Sequence, residues 1–335
     1  MFQTELHHAL QTLAHPFVVA FANGINALGY KTFYLLILFV LIFGVDFKRG
    51  FVLLHVVVWN ATITVWLKDW LRLPRPIDVD YSLKVLETNY NNPNTQFLRS
   101  GAPSFWAPLP PEVLAYYQAQ KMASYGFPSG HVSGATAFFG AWALAFRQWR
   151  WLIWLALGVI VLMPWARMFV GQHFLADVLG GLAIGSLIVA LAYTLCLHPK
   201  AQERLSLWDR VNALKISDIW VLYLLLSPLA IALLGQVVIG GQLMGANLVF
   251  LWLSHRGFPQ DNATWVQRLL RVLLALLLYG ALAQIFKRLD GLDWLQHPVW
   301  QFSLHGLSFG LLCGLGVALA QQWGLYGYVK TTHAN

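Results

Sequence analysis

The chain has 335 residues, 58% hydrophobic and only 11% charged, with a mean hydropathy of +0.58. A soluble domain carries about 25% charged residues, so this composition excludes an ordinary soluble protein. The formal net charge is +8, but the basic residues cluster between apolar runs, a pattern of membrane topology and phosphate chemistry and not of nucleic-acid binding.

Residues 1–28 lack a basic n-region and a small-residue cleavage site, so no signal peptide is expected. Leu6, Leu10, Leu13, Phe17 and Val18 recur at helical spacing. That pattern fits an amphipathic helix in the membrane interface, and equally a short cap packed on the bundle. A spanning helix needs about 20 apolar residues. Nine stretches are read as spans: near 30–46, 51–68, 131–147, 151–167, 173–196, 218–239, 242–255, 265–287 and 300–322. The predicted fold is an all-α, polytopic transmembrane helix bundle of about nine spans.

The basic connections share one side under this reading: Lys48 and Arg49, then Arg147 and Arg150, then Lys200, Arg204, Arg210 and Lys215. Short basic loops face the cytoplasm, and alternation brings Arg256 and Lys330 to the same side. The expected topology has the N-terminus outside, the C-terminus in the cytoplasm and the site residues on the opposite, periplasmic face of a bacterial inner membrane. Asn262-Ala-Thr matches a glycosylation sequon but falls on the cytoplasmic side. Cys196 and Cys313 lie in or beside apolar runs and read as free thiols.

Residues 77–127 form one long connection, with Asn91-Asn92-Pro93-Asn94 and a Pro-rich run to Pro111. Loops of this length are usually functional or disordered. Its aromatic residues argue for a lid over the site or on the membrane surface, with a short helix at 112–121. A structural plug is the alternative.

Three patterns carry chemistry. The first is Lys68-x6-Arg75-Pro76, the second Pro128-Ser129-Gly130-His131, the third Arg167-x5-His173-x3-Asp177. Lys68 and Arg75 are about two helical turns apart, with a break expected at Pro74. Together with Arg167 they offer three cations for phosphoryl oxygens. Standing alone, Lys68 and Arg75 would read as juxtamembrane snorkelling cations. Pro128-Ser129-Gly130 reads as a tight turn into a helix. Gly130 lets the backbone approach a ligand, helix N–H groups bind anions, and the Ser129 hydroxyl adds a donor. A bare N-capping turn is the bland alternative. His173 and Asp177, four residues apart, share a helical face, so the carboxylate can hold one ring nitrogen and present the other as a nucleophile. An intramembrane carboxylate is costly without a role.

In this order and spacing the three blocks resemble the type 2 phosphatidic acid phosphatase superfamily, which includes membrane lipid phosphatases, glucose-6-phosphatase and soluble vanadium haloperoxidases. The resemblance covers roughly residues 30 to 195. It implies a phosphatase in which His173 attacks phosphorus to give a phosphohistidine, His131 is the general acid and then the base for water, and Lys68, Arg75, Ser129, Gly130 and Arg167 bind phosphate. No metal and no other cofactor is implied, and vanadate is expected to inhibit. One position departs: the third motif usually begins Ser-Arg, and here Ala166 precedes Arg167, which puts one phosphate hydrogen bond in doubt.

The expected organisation is an N-terminal interfacial helix at 1–29, a phosphatase core at 30–197 with its lid at 77–127, and a C-terminal transmembrane extension at 198–335 of unexplained purpose. The expected substrate is a lipid phosphate or diphosphate, reached from the outer leaflet, with membrane lipids as the other partner. The motifs do not read the alcohol, and the oligomeric state is not legible. A lipid-linked phosphotransferase, a sugar-phosphate hydrolase, and a binding or transport protein with a non-catalytic phosphate site are the rival readings.

Overall fold

The fold is taken from a computed structural model, which describes residues 1–88, 95–198, 218–259, 263–289 and 292–326. The expectations placed on Asn91–Asn94, Lys200, Arg204, Arg210, Lys215, Asn262 and Lys330 lie outside the described residues. All regular structure among the described residues is helical. The N-terminal segment holds two helices, α1 (Glu5–Gln11) and α2 (Pro16–Ala27), where one run of helical periodicity was expected. Pro16 explains the break: it starts α2 at a position where a missing N–H costs nothing, and the His15 ring accepts from the Phe17 N–H.

The nine predicted stretches are all helical: α3 (Lys31–Phe39), α4 (Phe47–Leu71), α7 (Gly130–Ala145), α8 (Arg150–Phe169), α9 (Leu175–Ala192), α10 (Asp218–Leu233), α11 (Val237–Arg256), α12 (Trp265–Leu289) and α13 (Pro298–Gln322). Two short helices, α5 (Pro76–Val79) and α6 (Pro111–Ala119), lie in the long connection. Among the described residues six helices are long and apolar enough to cross a membrane, and a seventh crossing arises if α2 and the Lys31–Val45 helix, bent by 53°, form one span. The remaining two, α7 and α10, have 16 residues each, fewer than the roughly 20 a crossing needs. For α7 the reason is burial. Most of its residues are enclosed by protein, so it is apolar all round as a core helix and need not match the bilayer.

The chain divides into two compact units. The first comprises Met1–Tyr34 and Trp59–Thr194. In it α7 packs against α8 and α9, and α1 and α2 lie on α8. Small residues make the α7–α9 contact close: a side chain at Gly181 would stand 2.8 Å from the Ser129 carbonyl, and one at Gly185 would stand 2.7 Å from that of Ser133. Asn60 of α4, with its amide oriented to satisfy both ends, binds Ser133 and Gly134 of α7 at 3.2–3.3 Å. Ala22, Ala166, Phe169 and Val170 form an apolar cluster with Leu10, Val18 and Val19 around them.

The second unit comprises Leu35–Val58 and Leu195–Asn335. Its principal contact is α11 on α13, with α10 beside α11 and α12 beside α13. Gly241 and Gly245 face Phe302, Gly306 and Gly310 so closely that a Cβ at Gly245 would overlap the Gly306 carbonyl. Small residues at four-residue spacing let helix backbones meet in lipid. Beside this crossing His55 is fully engaged, by the Tyr223 hydroxyl and the Asn247 amide oxygen, each at 3.0 Å.

The glycine contact makes a prediction. Gly245→Ala should lower the unfolding midpoint in detergent by several degrees, since overpacking costs about 1–3 kcal/mol. Gly158→Ala, with open space around it, should leave the midpoint unchanged or raise it slightly. Equal midpoints for wild type and Gly245→Ala would count against the close crossing.

Candidate active site

The three motifs meet in the first unit at the ends of α4, α7, α8 and α9. α4 stops at Leu71, and Arg72 takes a left-handed conformation with φ +50°. The break therefore comes before Pro74. Lys68 stays in the last turn of α4, while Arg75 becomes the cap of α5, so a turn and not a shared helical face brings them together. The Arg75 N–H donates to the Asp78 carboxylate at 2.8 Å, and its Nη1 donates to the Gln172 amide oxygen. Lys68 Nζ donates to the carbonyls of Tyr125 and Gly126.

The second motif enters α7 as expected, with Gly130 its first residue and Ser129 the cap. The Ser129 hydroxyl makes no capping hydrogen bond and is buried without a partner. A serine serving only as a cap would use that oxygen on the helix. The entry is laced to the other two motifs through the backbone: Gly126 N–H donates to the Leu73 carbonyl at 2.7 Å, and Ser129 N–H to the Asp177 carbonyl at 2.9 Å. His131 follows in the first turn, its Nε2 buried and without a partner.

The third motif straddles the turn between α8 and α9. Arg167 is fully buried in the last turn of α8, and its Nη1 donates to Glu87 at 2.9 Å. His173 precedes α9, which begins at Leu175, so its pairing with Asp177 is made across a helix entry and not along a helical face. Asp177 Oδ2 accepts the Phe174 N–H at 2.9 Å and stands 3.4 Å from His173 Nδ1. Its other oxygen, Oδ1, has no partner. Between the two spanning helices, burial holds His173 well below the usual histidine range, and the charges of Lys68, Arg167 and Arg75 and the nearby His131 add to this. A neutral ring with Nδ1–H turned to Asp177 leaves Nε2 with its lone pair available.

Several residues at the site carried no sequence signal. Glu87 pairs with Arg167 and accepts from the Tyr30 hydroxyl at 2.7 Å. The Tyr30 ring lies edge-on to His131, with centroids 5.0 Å apart. His7 of α1 is buried, with its Nε2 2.9 Å from the His173 carbonyl. The long connection reaches the site through α6: Val113 and Tyr117 cluster with Val79, Leu109 and Phe174, the residue after His173. Ala166 faces the apolar cluster under α2, so the departure from Ser-Arg sits in a hydrocarbon environment.

The Glu87 pair predicts an acid sensitivity. Burial alone would raise its carboxyl pKa, but the charge of Arg167 and hydrogen bonds from Arg167 and Tyr30 hold it below the ordinary 4.5. Asp80 lies below its ordinary 3.8 in the same sense, burial being outweighed by Ser82 and His8. A depressed pKa gives stability that is present above the unfolded value and lost as pH falls through the folded one. The unfolding midpoint should be insensitive to these groups above about pH 5 and fall below about pH 4. Glu87→Gln should lose less over that acid interval than wild type, and an equal or larger loss would rule out Glu87 as a contributor.

Residues 49–199 match the PAP2 superfamily. Over 73 residues the chain is 41% identical to Lipid A 1-phosphatase of Rhizobium etli, covering 21% of this chain and 30% of that protein. It is 29% identical over 80 residues to Lipid A 4'-phosphatase of Porphyromonas gingivalis, covering 23% and 33%. It is 27% identical over 184 residues to Phosphatidylglycerophosphatase B of Bacillus subtilis, covering 53% and 75%. The chain thus spans about a third of the length of the two lipid A phosphatases. The match to the PAP2 superfamily, the type 2 phosphatidic acid phosphatases that the three motifs resemble, spans residues 49–199, the stretch that holds all three motifs.

Proposed function

We propose that the chain is an integral membrane phosphohydrolase that removes phosphate from a lipid phosphate or diphosphate. The observation that carries this reading is the set of buried, unpartnered polar atoms among the motif residues: Ser129 Oγ, His131 Nε2 and Arg167 Nε. Buried polar groups are ordinarily satisfied. Donors left over beside two histidines and three cations fit an anion with several oxygens. The three relatives are named for phosphate removal from lipid A or phosphatidylglycerophosphate, which supports a lipid substrate and does not choose one.

In this scheme Lys68, Arg75, Arg167, the Ser129 hydroxyl and the N–H groups opening α7 at Gly130 hold the phosphoryl oxygens. Neutral His173, steadied by Asp177, attacks phosphorus with Nε2. As the N–P bond forms, the bond from phosphorus to the lipid oxygen breaks, and protonated His131 gives that oxygen its proton. Water then enters. His131, now neutral, takes one proton from it, the oxygen attacks phosphorus, the N–P bond breaks, and His173 is restored as phosphate leaves. The cations offset charge that builds on the oxygens during both displacements. The proposed placement is multi-pass, with the site on the periplasmic face and the C-terminus in the cytoplasm.

Phosphate release by the detergent-purified protein tests the reading. The panel holds a polyprenyl diphosphate, phosphatidate, sphingosine phosphate, phosphatidylglycerophosphate, lipid A and glucose 6-phosphate, each beside His173→Ala. Release from a lipid, lost in the variant and blocked by vanadate, is the expected result. Release from glucose 6-phosphate alone would replace the lipid assignment with a sugar phosphate. Silence across the panel, with vanadate still bound, would transfer the proposal to a phosphotransferase lacking its acceptor.

A further inference from the structure

One carboxylate at the phosphate site has no part in the hydrolytic scheme. Glu87 lies in the connection after Arg75, and its side chain is only 6% exposed. A single oxygen, Oε1, accepts from Arg167 Nη1 at 2.9 Å and from the Tyr30 hydroxyl at 2.7 Å. An arginine held at Nη1 keeps Nε and Nη2 on its other edge, the fork that meets a tetrahedral anion with two parallel hydrogen bonds. Arg167 Nε is buried and has no partner. Glu87 therefore occupies the side of the guanidinium that a side-on phosphate does not use, and it fixes the plane in which the free edge points.

Tyr30 carries the same constraint to His131. Its ring stands at 81° to the histidine ring, with centroids 5.0 Å apart. The backbone at Gly29 lies so close that a Cβ there would overlap His131 Cδ2. His173 is steadied by a carboxylate, but His131 Nε2 has no hydrogen bond. Packing by Gly29 and Tyr30 sets the His131 ring, and the Tyr30 hydroxyl is tied to Glu87.

We infer that Glu87 is a positioning residue of the phosphate site: it anchors Arg167 with its Nε edge free for the phosphoryl group and, through Tyr30, fixes the ring of His131. The inference rests on the phosphatase reading. It couples a phosphate-binding cation and the proton donor to one side chain outside the three motifs. The two arms have different signatures. Loss of the Glu87 charge disturbs anion binding, whereas loss of the Tyr30 hydroxyl disturbs proton delivery and leaves the cation held.

The experiment uses Glu87→Gln and Tyr30→Phe in the full chain in detergent, with vanadate binding read as thermal protection and turnover read on the best lipid phosphate. Glutamine keeps the shape and one oxygen of Glu87, and phenylalanine keeps the ring. A weakened charge-assisted hydrogen bond corresponds to about a tenfold loss. Glu87→Gln should weaken vanadate binding by about that factor and lower kcat/KM alike. Tyr30→Phe should hold vanadate affinity within about twofold while lowering kcat. Wild-type affinity and kcat in both variants would overturn the inference. If Glu87→Gln does not fold, the kcat of Tyr30→Phe decides, and an unchanged value overturns it. If wild type binds vanadate but hydrolyses no substrate, the functional reading fails, and the vanadate affinity of Glu87→Gln still decides this one. Wild type that binds no vanadate overturns both.

Discussion

Like charges gathered inside a membrane protein repel one another, and this site holds because each of its cations has a fixed protein partner. Lys68 donates hydrogen bonds to the carbonyls of Tyr125 and Gly126, Arg75 to the Gln172 amide oxygen, and Arg167 to the Glu87 carboxylate. Removing one member of a buried ion pair costs about 3–5 kcal/mol, a large share of the roughly 5–15 kcal/mol by which a domain is stable. The partners are exchanged between motifs. The lysine of the first motif is held by the entry to the second, and its arginine by the turn that carries the third. Arg167 is paired with Glu87 of the long connection. The hydrogen bonds that hold the cations are therefore also contacts that join the motifs.

α7 makes that exchange geometrically possible. Its first residues must lie within hydrogen-bond reach of the third motif, so its flank must let α9 come close. Gly181 and Gly185 provide the approach, and the Ser129 N–H to Asp177 carbonyl bond closes it. A helix so enclosed is apolar on every side for reasons of packing. Hydropathy alone does not separate such a helix from a membrane crossing, and the count of nine predicted spans includes this 16-residue element. The same ambiguity attaches to α10. Apolarity measures absence from water, and protein and lipid supply that equally.

The motif residues were legible because their constraints are local. A turn into a helix, a cation at a helix end and a carboxylate one turn after a histidine all leave fixed spacings. Yet two local readings were refined by the chain's actual path. Lys68 and Arg75 are joined across a turn that opens at Arg72, and His173 precedes α9. Glu87, Tyr30, Gln172 and His7 were not legible, since each acts on a residue far along the chain or through packing that no spacing encodes. Gln172 adjoins His173, and a polar residue in that apolar turn was the signal available. Glu87 resembles any solvated loop acid in sequence, and only the fold shows that it is buried against Arg167. In the second unit the glycines of α11 and α13 recur at four-residue spacing, so their contact was open to sequence reading.

Ala166 shows how a departure from a family pattern is settled by its surroundings. From sequence, the missing serine hydroxyl looks like a lost phosphate ligand. In the fold, residue 166 is fully buried among Ala22, Phe169 and Val170, with Val18 and Val19 of α2 packed against the same cluster. A hydroxyl in that cluster would face hydrocarbon and would need a local carbonyl to satisfy it. The N-terminal helices also reach His173 through His7 and the long connection through Gln11 and Asn23. Alanine at 166 packs beneath α2, and α2 leads the chain to Gly29 and Tyr30 at the face of His131. Residue 166 thus belongs to the packing of α2, the helix that leads to Tyr30 and its edge-on contact with His131.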